Sequence, residues 1–377
     1  MKKLYLDETA TTKVSAEIFN EMKKYYLEEY GNPSSMHEMG EKALKAINNA
    51  REKLAKEINA KPHEIIFTSG GTESDNLAIQ GLAKAFPNKK KIIISAIEHA
   101  AVMEPCRFLK SQGYKIIKIG VDKTGVIKLD ELEKELDNDN KNILLVSIMH
   151  VNNIFGTIQD IETIGKLCKK GGALFHTDAV QSFGKLEIDV RKMGISLLSA
   201  SAHKIHGPKG IGFLYLREKI KIKPLIFGGG QENDLRSGTE NVPGIMGFAK
   251  SLELKKKIQK EKIKELRNKL IEKLEKLEGK INGAKDEKRI YNNIHVSFPG
   301  INNETLVLFL SRKGIYVSAG SACDSKKEKE DYVLEALGLD EKERNGSIRI
   351  TLNEEVNTKD IEFIVKEISL FLRRFKL

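Results

Sequence analysis

A chain of 377 residues, 40% hydrophobic and 31% charged, can build a large core and more than one domain. No apolar run reaches the ~20 residues of a membrane span, and Met1-Lys2-Lys3-Leu4-Tyr5-Leu6-Asp7 reads as a strand, not a secretory signal. The net charge of +11 is mostly lysine interleaved with acidic residues, without Trp or aromatic–basic alternation, so no direct nucleic-acid partner is expected. Three cysteines, Cys106, Cys168 and Cys323, lack metal-ligand spacing and fit reduced thiols in the cytoplasm.

In chain order, Leu4–Leu6 predicts a short strand, followed by a polar turn, Asp7–Thr12. Ser15 is placed to cap a helix through about Glu29, and a second helical pattern runs from Glu38 to Asn59. The strand Glu64–Thr68 leads into Ser69-Gly70-Gly71-Thr72, which opens the next helix. Further strands are predicted at Lys91–Ser95, Tyr114–Ile119, Asn142–Met149, Gly172–Thr177, Ile195–Ser199 and Gly212–Leu216, with helical patterns between them. That alternation predicts a mostly parallel sheet with helices on both faces and ligand loops at the carboxyl ends of its strands. Near Gly244 the pattern changes. A helix with Ile263, Leu266, Leu270, Leu274 and Leu277 on one face leads into strands at Asn293–Ser297, Ile315–Val317 and Ser347–Thr351. Helices are expected at Asn303–Lys313 and Thr358–Leu372. The expected division is a large domain over 15–250 and a smaller α+β domain of 1–14 with 251–377.

Two strand ends carry the chemistry. The apolar run Ile195–Leu198 passes through small residues to His203-Lys204, and Ala173–Thr177 ends at Asp178. A lysine desolvated at a sheet rim can hold an aldehyde, and a carboxylate can face a pyridinium nitrogen. Together they are what pyridoxal 5'-phosphate (PLP) requires. Taken singly, the lysine reads as a solvated strand end and the aspartate as a helix cap. Gly71 and Thr72 at a helix start suit a phosphate, to which Ser201 and His203 could add donors. His99 follows a strand and is placed to stack on a planar ring, although a lone histidine there is more often a helix cap. Gln181, three residues after Asp178, could bond a phenolic oxygen.

Ordered motifs run nearly end to end: Gly31-Asn32-Pro33-Ser34-Ser35, Thr68-Ser69-Gly70-Gly71-Thr72-Glu73, Glu98-His99 and His150-Val151-Asn152-Asn153. They continue with Asp178-Ala179-Val180-Gln181-Ser182, Ala202-His203-Lys204, Arg236-Ser237-Gly238-Thr239, Gly320-Ser321-Ala322-Cys323 and Ser347-Ile348-Arg349. In these the chain resembles the NifS/IscS-type cysteine desulfurases, in the class-V aminotransferase branch of PLP enzymes of fold type I. The resemblance implies a large domain with a seven-stranded sheet and PLP held by Lys204. It implies Asp178 at the ring nitrogen, His99 stacked on the ring and moving protons, and Gln181 at the phenolic oxygen. Thr72, Ser201 and His203 would hold the phosphate. Thr239 would reach the phosphate in a neighbouring subunit, which implies a homodimer. Arg349 would clamp the substrate carboxylate while Asn152 orients the substrate. Cys323 would take sulfur from L-cysteine as a persulfide, leaving L-alanine, and pass it to an acceptor protein of iron–sulfur assembly or tRNA thiolation. The rivals are a selenocysteine lyase, another class-V lyase or transaminase, and a degenerate PLP-binding sulfur relay. The chain departs from the pattern at Glu8, Lys13, Ile154 (where a carboxylate is usual), Asp324 and Asn353.

Overall fold

The computed structural model describes residues 2–138, 140–255, 258–319 and 327–375. Its largest sheet has seven strands. In spatial order they are Ile65–Thr68, Gly212–Leu216, Leu197–Ser201, Phe175–Asp178, Ile143–Ser147, Lys91–Ser95 and Lys115–Ile119. Only Gly212–Leu216 runs against its neighbours. Alternate side chains enter opposite cores: Ile93, Val146 and Leu198 pack on one face, Ile92, Ile94, Leu145 and Leu197 on the other. Helices Glu38–Glu57 and Val242–Lys255 cover the first face, and Gly71–Ala85 and Ala100–Ser111 the second. This is the α/β architecture that alternating strands and helices dictate.

Another sheet is antiparallel, in the order Ser318–Ala319, Ser347–Thr351, Asn293–Ser297, Lys280–Ile281. Helices Lys260–Glu275, Asn303–Arg312 and Thr358–Phe375 bury their apolar faces with it, in a core that also takes Leu4 and Leu6. The N-terminal strand Leu4–Tyr5 pairs in parallel with Ile315–Tyr316. Just beyond it, the Leu6 carbonyl accepts from Thr351 N. That pairing turns residues 7–12 toward the carboxyl ends of the large sheet.

Some boundaries move by a few residues. Two strands begin later than expected, at Phe175 and Leu197, and end at Asp178 and Ser201. Gly172 (φ +67°) and Gly194 (φ +65°) hold left-handed turns that an extended strand cannot include. Leu277 lies past the end of its helix, which stops at Glu275. The short strands Lys280–Ile281 and Ser318–Ala319 lack enough alternating residues to announce themselves.

Candidate active site

The carboxyl ends of the large sheet open into a cavity of about 350 Å³. Its wall brings together Gly71, Thr72, His99, Asp178, Gln181, Ser201, His203, Lys204 and Arg349, nine of the residues expected from sequence. Lys204 sits at the end of the single helical turn Ala202–Lys204 that follows strand Leu197–Ser201. Its Nζ donates to the Thr9 and Ala10 carbonyls, each at 2.7 Å. Burial pushes this amine down to about 7, aided by the charges of Lys185 and Arg349 and opposed by Asp178 and Asp7. A substantial unprotonated fraction at neutral pH follows.

Asp178 ends its strand and accepts from Val180 N at 2.9 Å through Oδ1. Burial raises its pKa, against the lowering pull of His99, the Val180 N–H and Lys204. Sequence reading did not single out Asp75, which also lines the cavity. Burial raises Asp75, and the Asp178 charge adds to the effect. Both of its oxygens are buried without a well-formed hydrogen bond among the described residues; the Ser199 hydroxyl pulls its pKa down, and His176 Nε2 lies 3.5 Å from Oδ1. Its burial, shared with Ser74, Leu77 and Ala78 of the same helix, comes from packing that the local sequence does not announce. The pair leaves carboxylate acceptors at the cavity floor that lack enough protein donors, which suits a protonated ring nitrogen.

His99 caps helix Ala100–Ser111, and its Nδ1 accepts from Ala101 N at 3.1 Å. His99 thus both caps this helix through Nδ1 and lines the cavity. Gln181 donates through Nε2 to the Thr9 carbonyl (3.0 Å), and Lys185 Nζ lies 3.4 Å from its Oε1. His203 Nδ1 is 3.1 Å from Thr11 Oγ1, and burial, then Lys204, Lys209 and Lys185, push its pKa down to about 4. It is a neutral donor or acceptor, not a cation.

The N-terminus of helix Gly71–Ala85 meets this group. Gly70 has φ +155°, and a Cβ on Gly71 would lie 2.5 Å from Val180 Cγ2, so side chains are excluded where the backbone must approach an anion. Helix amides, Thr72, Ser201 and His203 lie where they could receive an anion, and Asp178 and Lys204 line the same cavity. Together these residues fit a planar pyridine bearing an aldehyde and a phosphate.

Arg349 projects from strand Ser347–Thr351, whose Ile348 and Ile350 point into the opposite core. Its Nη2 donates to Asp7 Oδ1 at 2.7 Å and Nη1 to the Asn153 carbonyl at 3.1 Å, while the buried Nε–H has no partner among the described residues. Asn152 does not line the cavity. Its Oδ1 accepts from Ile154 N and Phe155 N (2.9 and 3.1 Å), and its Nδ2 donates to the Ile97 carbonyl, so the side chain is used by its own turn. Asn153 takes the lining position. Thr239 is exposed, outside the cavity of its own chain. Its segment is tied down by Glu232, whose carboxylate accepts from Arg51 at 2.8 and 2.7 Å and from Phe67 N. Cys323 lies outside the described residues.

Beneath His99, Glu98 is fully buried, with Oε1 accepting from Ser95 Oγ (2.5 Å) and Met149 N (2.8 Å). Burial pushes its carboxyl from 4.5 up to about 8. Below pH 4.5 folded and unfolded chains both hold this proton. Between 4.5 and about 8 only the folded chain does, so this group's contribution to stability falls as pH rises and the loss is complete above 8. Glu98→Gln should therefore match the wild type near pH 5 and gain on it in Tm toward pH 8. Thermal denaturation of the apoprotein across that range checks this, and a pH-independent gap would mean that Glu98 is ionised throughout.

The sequence pattern of the family described as aminotransferase class-V matches residues 4–364, and the chain belongs to that family, whose members depend on PLP. Among curated relatives it is 44% identical to the cysteine desulfurase IscS of Dictyoglomus turgidum, over 100% of this chain and 96% of the relative. Among solved structures it is similar to a NifS-like protein (40% identical, TM-score 0.91, 99% of this chain and 100% of the other). A structure of SspA in complex with cysteine is 38% identical with a TM-score of 0.83, covering 93% of this chain and 99% of that one. Among the described residues, no helix is long and apolar enough to cross a membrane.

Proposed function

We propose that this chain is a PLP-dependent cysteine desulfurase, converting L-cysteine to L-alanine with a persulfide on Cys323. The observation that carries the reading is the convergence of Lys204, Asp178, His99 and Arg349 on one cavity. Full-length similarity to cysteine desulfurases supports the same activity. Lys204 would hold the cofactor, Asp178 its ring nitrogen, Gln181 its phenolic oxygen, and Thr72, Ser201, His203 and the helix amides its phosphate. When bound, PLP supplies an electron sink for negative charge developing at the substrate's α-carbon.

The chain's own residues do the rest. Arg349 receives the substrate carboxylate through charge-assisted hydrogen bonds, with Asp7 and the Asn153 carbonyl holding the guanidinium in place. Lys204 would be a base of suitable strength for a proton at the α-carbon, since burial brings its amine down to about 7. His99, on the cavity wall, would stack on the bound cofactor and move a second proton. The Cys323 thiolate would attack the substrate sulfur: an S–S bond forms as the Cβ–S bond breaks, and the three-carbon product takes a proton at Cβ and regains one at Cα to leave as alanine. Persulfide sulfur then passes to an acceptor protein serving iron–sulfur assembly or tRNA thiolation. A cytoplasmic homodimer, with Thr239 reaching the partner's phosphate, completes the reading.

Adding L-cysteine to the PLP-loaded protein should yield alanine and a sulfur adduct on the Cys323 peptide by mass spectrometry. A changed absorbance spectrum without that adduct would instead favour a selenocysteine lyase or transaminase. Arg349→Lys keeps the charge but loses the paired donors, and should raise KM for cysteine roughly 10- to 100-fold. Unchanged KM in steady-state kinetics would remove Arg349 from substrate binding.

A further inference from the structure

A small apolar cluster sits apart from the cores of the two sheets. One wall is Ile97, Val121, Ile154 and Phe155, and the other is Val333, Leu334 and Leu337. The second wall belongs to helix Lys327–Ala336 and the residue after it, the first regular structure among the described residues downstream of Cys323. Ile154 is 2% exposed and Leu334 fully buried, so the contact is close-packed. Beside it, Tyr332 O–H donates to the Glu98 carbonyl at 2.5 Å, one residue before His99. The turn bearing Ile154 also faces the cavity: Asn153 lends its carbonyl to Arg349, and Asn152 ties the turn to the Ile97 carbonyl. A single four-residue turn, Asn152–Phe155, therefore touches the substrate-facing arginine on one side and the helix after Cys323 on the other.

We infer that this turn is a docking platform for helix Lys327–Ala336, with Ile154 and Tyr332 as positioning residues for sulfur transfer. The inference rests on the desulfurase reading for its consequence, not for the docking itself. Cys323 precedes Tyr332 by nine residues, five of which lie in the helix. The backbone thus tethers it within roughly 20 Å of the Tyr332 anchor. Holding the helix against the His99 turn keeps the thiol's local concentration at the cavity high. A carboxylate at position 154 would be buried without a partner and would expel the helix.

The test uses PLP-loaded Ile154→Glu, Ile154→Ala and Tyr332→Phe. Amide hydrogen exchange in 327–336 should accelerate by about tenfold or more in Ile154→Glu, and less in the other two. The PLP absorbance band should be unchanged in all three. The kcat for alanine formation in Tyr332→Phe should fall about tenfold with KM held within about twofold, because the loss is one of thiol positioning. Wild-type exchange in every variant that folds would overturn the platform, as would a kcat loss matched by lost PLP binding. If Ile154→Glu fails to fold, Ile154→Ala and Tyr332→Phe decide. Accelerated exchange in a protein that makes no alanine from cysteine would leave the docking intact and refute the desulfurase reading instead.

Discussion

Replacing Lys204 by alanine should leave a protein that binds PLP only reversibly and turns over cysteine at least about 10³-fold more slowly. The variant loses both the covalent anchor and the base near neutrality, while the phosphate cradle and Asp178 remain. Dialysis should strip the cofactor from Lys204→Ala and not from the wild type, as the visible absorbance band will record. In the wild-type apoprotein the amine must be unprotonated to capture the aldehyde. With its pKa brought down to about 7, the capture rate should climb through that pH and level off above it. An ordinary lysine would show the climb near 10.5. Stopped-flow absorbance from pH 6 to 9 distinguishes them, and a rate still rising steeply at pH 9 would show that burial does not tune this amine.

Cys323→Ala should retain the cofactor and its spectrum yet form alanine from cysteine only at background. No other thiol can substitute. Cys106 and Cys168 are each 1% exposed, and burial pushes both thiols up to about 12, so neither supplies a thiolate at neutral pH. Their alanine variants should therefore keep wild-type turnover. Sustained alanine production by Cys323→Ala, measured by amino-acid analysis, would refute the persulfide route and favour direct elimination.

The architecture was largely legible because period-2 and period-3.6 patterns are strong in this chain. Ile92, Ile93 and Ile94 show a strand buried on both faces, and Ile263, Leu266 and Leu270 a helix buried on one. The strand-end placement of Asp178 and Lys204 was legible for a related reason: each closes or follows an apolar run, which puts it at the sheet rim. Asp75, Glu98 and Lys185 were not singled out. Their burial depends on what packs over them from distant sequence, and a lone charge in a helix or turn reads as solvated until that neighbour is known. Asn152 illustrates the converse. Its chemistry suits a substrate contact, but its amide is consumed by the Ile154 and Phe155 N–H groups, a local competition that residue type alone does not reveal. Ile154, noticed only as a missing carboxylate, has a physical account in the apolar wall it builds under Leu334 and Leu337.

The pairing of Leu4–Tyr5 with Ile315–Tyr316 has a consequence for biosynthesis. The carbonyls that receive Lys204 come from Thr9 and Ala10, and the guanidinium beside them from residue 349. Residues 4–10 must thus wait for residues 315–349 before they find their place. The large sheet can form on the nascent chain, but a complete cofactor pocket cannot. Such long sequence separation makes closure of the pocket a late, slow event. Ribosome-bound chains ending before residue 315 should accordingly fail to retain PLP, so that cofactor loading reports the docking of residues 4–10 onto the later sheet.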